Sequence, residues 1–186
     1  MLVDSICQAL EAVDPNVIQL SLLRYDGRPK LVDPIYQERV FAYEFYHQFR
    51  KLQEAKKIDF HDLVLQAEVS KDYQGTDKIP DFLLHIPNSR RNSAVLEFKL
   101  ASNGRIVEDL KKLQQFSMDP FRYEQAFMVI VDNLTKASTI ERELGDALAP
   151  DGYAVQLIIV SCARQVKISS SKEVFVNFPD LPNLIV

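Results

Sequence analysis

The sequence is poor in cysteine. Cys7 and Cys162 are its only two and fall in no CxxC or Cys/His spacing, so neither a disulfide framework nor a zinc cluster is expected. A reducing, cytoplasmic setting fits that scarcity. Glycine and proline are not enriched, with 5 and 9 residues in 186, which excludes collagen-like and disordered low-complexity classes. No apolar run approaches the length needed to span a bilayer, so no membrane partner is expected. The first residues, MLVDSICQALEAVDP, contain Asp4 and Glu11 and lack the basic and apolar regions of a secretory leader. Positive charge is also short: 22 Lys and Arg face 26 Asp and Glu, a formal charge of −4. A global basic surface for nucleic acid is therefore absent. A local basic strip can still exist on an acidic whole, and a site that gathers carboxylates around a cation lowers the net charge itself.

What is present is ordinary globular composition, 47% hydrophobic and 26% charged, in a length that suits one domain without staples. There is no internal repeat. Leu2, Ile6, Leu10 and Val13 have helical spacing, ended by Asp14-Pro15, and Val17 to Leu23 reads as a strand. Asp33-Pro34 signals a helix start, and Val40, Phe41, Phe45, Phe49 and Leu52 carry the period onward, predicting one amphipathic helix over 34–56. Alternation then predicts a strand over 63–70, followed by two more, Ile79 to Ile86 and Ser93 to Leu100, joined by the polar loop 87–92 as an antiparallel hairpin. A helix over 105–118, a buried strand Ala126 to Val131, a helix Thr135 to Ala149, a strand Val155 to Val160 and an edge strand Val174 to Phe178 complete the chain. The strand, helix, strand succession in the tail implies parallel pairing, so the expected fold is α/β with a mixed central sheet flanked by helices.

Residues two apart in a strand share a face, which puts Glu97 and Lys99 together opposite Ala94, Leu96, Phe98 and Leu100. In the neighbouring strand Asp81 shares a face with Leu83 and His85, and antiparallel pairing can bring Asp81 to Glu97. Two adjacent carboxylates repel unless a proton or cation intervenes, and a hard dication such as Mg2+, with Mn2+ as a substitute, answers that need with oxygen ligands. A lysine beside them can position an attacking water or stabilise charge on a phosphate, so hydrolysis of a phosphodiester is the chemistry this set suits.

These residues resemble the PD-(D/E)XK superfamily, whose familiar members are restriction endonucleases. The signature reads as Pro80-Asp81, then Glu97-Phe98-Lys99 on the next strand, and covers roughly residues 34 to 131. The resemblance implies a restriction-endonuclease-like α-β-β-β-α-β core, with 1–33 as a helical extension and 132–186 as a helix-strand addition. It also implies a metal-dependent nuclease, with Asp81 and Glu97 as metal ligands, Lys99 as catalytic lysine and Glu44, in the middle of the first helix, as a further metal or water ligand. Gln114 or Gln115 matches the polar residue often contributed by the helix after the lysine strand. DNA is the expected partner, and a homodimer would help explain double-strand cutting.

Plainer readings stand beside these. The same fold can persist as a non-catalytic nucleic-acid- or protein-binding module. Glu97 and Lys99 can form a solvated surface pair, and Glu44 can simply face water near Gln48. Arg90, Arg91 and Arg105 are candidates for phosphate contacts, although loop arginines are usually just solvated. Glu68 lies on a strand and is read as solvated; Lys111-Lys112 reads as an exposed helix face. His47, His61 and His85 show no ligand spacing. Phe41, Tyr43, Phe45, Tyr46 and Phe49 are read mostly as core.

Overall fold

Strands covered by helices on both faces bury both sets of alternating side chains, and that is the pattern of the central strands here. The structure, a computed structural model, describes residues 2–20, 35–58, 60, 62–69, 79–101, 106–132, 140, 142, 144, 148–161 and 167–176. Its elements run α1 (Leu2–Glu11), α2 (Pro15–Ile18), β1 (Gln19–Leu20), β2 (Ile35–Tyr36), α3 (Glu38–Glu54), β3 (Val64–Ala67), β4 (Phe82–His85), β5 (Asn92–Leu100), α4 (Ile106–Ser117), β6 (Gln125–Asp132), β7 (Leu148–Ser161) and β8 (Lys167–Val176). Among the described residues β3 to β8 form one six-stranded sheet in sequence order. The pairs β3/β4, β4/β5 and β7/β8 are antiparallel, while β5/β6 and β6/β7 are parallel. The sheet is mixed, as expected.

Period-two alternation sorts the strand side chains into two cores. Phe82, Leu84, Ala94, Leu96, Phe98, Phe127 and Val129 point to one side, where α1 and α3 cover them with Ile6, Leu10, Phe41, Phe45 and Phe49. Leu83, Val95, Met128, Ile130, Leu157 and Ile159 point to the other, covered by Ile106, Leu110, Leu113 and Phe116 of α4 and by Ile140 and Leu144. The first helix is thus part of the main core, and β7 and β8 extend the same sheet.

Several boundaries differ from expectation. The long helix begins at Glu38, not at Pro34: Ile35 and Tyr36 pair with β1, and Gln37 is still extended at φ −110° and ψ 129°. Pro15 opens α2, with the Asn16 amide donating to Asp14 Oδ1 at 2.8 Å, so Val17 and Ile18 are helical, Gln19 and Leu20 are strand as expected, and Ser21 to Leu23 lie outside the described residues. Ile140, Arg142 and Leu144 are helical as expected, but β7 already begins at Leu148, which pairs with Val176 of β8 ahead of an irregularity, and the ladder resumes from Tyr153 to Ser161. Asn177 and Phe178, the end of the expected edge strand, lie outside the described residues.

Candidate functional site

The β4/β5 register pairs Phe82 with Leu96, which sets Asp81, one residue before β4, opposite Glu97. Main-chain hydrogen bonds hold Asp81 in place. The Phe98 amide donates to Asp81 Oδ2 at 2.6 Å, and the Glu68 amide donates to the Asp81 carbonyl at 2.9 Å. Glu68 makes that bond from the left-handed region, at φ 48°, where few non-glycine residues sit.

Glu97 is 4% exposed. It lies on the same side of β5 as Val95, the side that faces α4, and from α4 the Lys112 ammonium donates to Glu97 Oε1 and, at 3.3 Å, to the Ile79 carbonyl. Glu97 Oε2 is buried and has no hydrogen-bond partner among the described residues. Lys99, one step along the same face, has Nζ 2.8 Å from Asp109 Oδ2 and 3.9 Å from Glu38 Oε2. Glu38 Oε2 also accepts from the Leu100 amide at 3.1 Å, which ties the first turn of α3 to the end of β5. Asp109 Oδ1 lies 4.0 Å from Lys112 Nζ. Four carboxylates and two ammonium groups therefore interlock across β4, β5, α3 and α4.

Burial disfavours charge on the two central acids. It pushes Glu97 up to about 8, with the neighbouring Asp81 charge adding to the rise and Lys112 opposing it. Asp81 is raised to about 6, again mainly by burial, against the lowering effect of the Phe98 amide and Lys112. Burial pulls the Lys99 ammonium down, but its hydrogen bond and charge contact with Asp109, supported by Glu38 and Glu97, outweigh that, and its net direction is up.

No group of three or more His, Cys, Asp and Glu side chains stands ready to hold a metal ion among the described residues. Magnesium, however, is usually held by one or two carboxylates together with waters and substrate phosphate oxygens rather than by an all-protein cage. Asp81 and Glu97 meet that smaller requirement: a half-buried and a buried carboxylate that repel each other, the buried one with an unpartnered oxygen. A cleft of about 130 Å³ opens beside Asp81, lined also by Glu38, Arg39, Tyr43 and Glu68.

Of the residues singled out from the sequence, Asp81, Glu97 and Lys99 are brought together. The carboxylate that α3 sends to this cluster is Glu38, whereas the Glu44 carboxylate accepts from Gln48 Nε2 at 2.6 Å and sits about 120° round the helix from Glu38. The α4 residues that enter the cluster are Asp109, at Lys99, and Lys112, at Glu97; Gln114 is buried and Gln115 half-buried further along the helix. Arg90 and Arg91 are exposed in the β4–β5 hairpin at the far end of β5, about 17 Å of strand from Glu97, and so do not flank the carboxylates. Arg105 and His61 lie outside the described residues. Lys112 is not on an exposed face, since its side chain is only 15% exposed. His85 is a satisfied buried histidine, 2.5 Å from Gln66 Oε1, and His47 is exposed. Glu68 is exposed on the cleft rim, where Tyr43 Oη donates to it at 3.1 Å.

Glu38, Asp109 and Lys112 were the residues that sequence reasoning missed. Asp109 had a usable signal: it falls inside the apolar stripe of Ile106, Leu110 and Leu113, where a charge must find a partner. Asp109→Asn is expected to destabilise the fold by about 1–3 kcal/mol, because the nearly buried Lys99 ammonium loses its closest counter-charge. Urea denaturation of the variant checks this. No protein-family model matches the chain, and neither a curated protein nor a solved structure matches it significantly.

Proposed function

We propose that the protein is a metal-dependent nuclease that hydrolyses phosphodiester bonds in DNA, on a restriction-endonuclease-like core. The observation that carries this reading is the placement of Asp81 directly across from buried Glu97, with Lys99 next on the same strand face. The order α3-β3-β4-β5-α4-β6, which is the succession the PD-(D/E)XK resemblance implies, supports it. Asp81 and Glu97 would hold Mg2+ or Mn2+. Such an ion supplies Lewis acidity, polarising a phosphoryl oxygen and lowering the pKa of water. Lys99 offers a fixed positive charge to the phosphate or the attacking water, and Asp109 and Glu38 keep that ammonium charged and oriented. The cleft beside Asp81 is the approach for the substrate.

Cleavage of single- and double-stranded DNA and RNA, with Mg2+, Mn2+ or EDTA, tests the reading. Cutting is expected with metal only. It should be lost in Asp81→Ala and fall by about 10²–10³-fold in Lys99→Ala, with Mn2+ binding kept in the latter. Full activity of Lys99→Ala would refute the mechanism. One observation favours a second reading, a non-catalytic binding module: both lysines already sit on carboxylates of the cluster, so neither ammonium is held apart from the acids for a phosphate. Absence of cutting on every substrate would select that reading.

A further inference from the structure

We propose that Lys112 is a built-in competitor for the metal position: its ammonium holds the ligating edge of Glu97, and a divalent ion binds only by displacing it onto Asp109. The inference rests on the reading of Asp81 and Glu97 as metal carboxylates.

Lys112 Nζ lies directly against Glu97 Oε1 and is anchored by the Ile79 carbonyl at 3.3 Å, on a side chain that is 15% exposed. Its charge also bears on Asp81, so this one ammonium offsets both acids of the pair. A dication and an ammonium repel strongly at such range, and in a nearly dry site little solvent screens them. An ion on the unpartnered Glu97 Oε2 would lie within one carboxylate's width of the ammonium on Oε1, so the two compete for the charge of Glu97.

A place for the displaced ammonium exists one turn back on the same helix. Asp109 Oδ1 is 4.0 Å from Lys112 Nζ, an i,i+3 neighbour reachable by rotation about the flexible lysine stem with no movement of the backbone. Asp109 Oδ2 is already the partner of Lys99 at 2.8 Å. After displacement each oxygen of Asp109 would face one lysine. Lys99, held by Asp109 and Glu38, does not obstruct Glu97 in this way.

A purely structural ion pair pinning α4 to the sheet makes the opposite forecast, because its removal loosens the site. The experiment is Mn2+ titration, by calorimetry and by the Mn2+ EPR signal, of wild type, Lys112→Met and Lys112→Gln at pH 8, with thermal unfolding in EDTA to verify that each variant is folded. The glutamine variant retains a polar head for Glu97 and the Ile79 carbonyl should the methionine variant fail to fold. Mn2+ is expected to bind about tenfold or more tightly to the variants than to wild type. Equal or weaker binding by a folded variant overturns the proposal. Absence of Mn2+ binding by wild type and both variants instead overturns the metal-site reading, and this inference with it.

Discussion

Glu97→Gln is expected to lower metal-dependent cleavage by at least about 10²–10³-fold while making the metal-free protein less sensitive to rising pH between about 4.5 and 8. The two effects have one cause. Burial beside Asp81 raises Glu97 from its ordinary 4.5 to about 8, and Asp81 from 3.8 to about 6. Between the ordinary and the raised values the folded chain binds more protons than the unfolded chain, so stability is greatest below the ordinary values and falls as pH rises through the window. For Asp81 the fall runs from about pH 4 to 6, and for Glu97 from about pH 4.5 to 8. The combined loss by pH 8 is on the order of a few kcal/mol. Glutamine keeps the shape but never ionises, which removes the Glu97 part of that slope. Bound metal should restore stability to wild type at pH 8, by about 2.7 kcal/mol at one hundred times its Kd, and much less to the variant. Urea denaturation from pH 5 to 9, in EDTA and in Mg2+, measures both. A variant with the wild-type slope would mean that Glu97 is not the group under strain.

Phe98→Ala should cost about 3–5 kcal/mol, the usual range for emptying a phenylalanine site in a closed core. Phe98 is fully buried, its ring centroid 5.0 Å from that of Phe45, 5.5 Å from Phe82 and 6.1 Å from Phe41. It is also the middle residue of Glu97-Phe98-Lys99. Its ring therefore locks the strand whose opposite face presents the acid and the lysine, and its amide holds Asp81. Cleavage should weaken along with stability, whereas Phe98→Leu, which fills most of the space, should retain most of both. Denaturation midpoints at constant m-value give the cost. A loss below about 1 kcal/mol would show that the aromatic cluster is not what supports the site.

Much of the architecture could be read because burial leaves a period in the sequence. The hairpin at 79–100, the amphipathic stretch around Phe41, Phe45 and Phe49, and the apolar runs at 126–131 and 155–160 all emerge close to where apolar spacing and run length place them. Ends were less legible. The Asp33-Pro34 signal yielded to pairing of Ile35 and Tyr36 with β1, and β7 extended back to Leu148 because β8 offered it a partner there. A strand end is decided by its neighbour, which local residues do not encode.

The same division runs through the site. Sequence by itself determined that Glu97 and Lys99 share a face, since alternation in a strand permits nothing else, and placed Asp81 in a stretch, 79–86, able to pair with theirs. Only the tertiary structure decided that the shared face is covered by α4 rather than open to solvent. Packing of α4 buries Glu97, raises its affinity for a proton, and brings Lys112 and Asp109 against residues distant in sequence. It also made Glu38, at a helix start visible only once β2 had formed, the carboxylate that reaches β5 in place of Glu44. The period of a strand fixes direction, but the environment a side chain meets is supplied by elements whose approach depends on the whole fold.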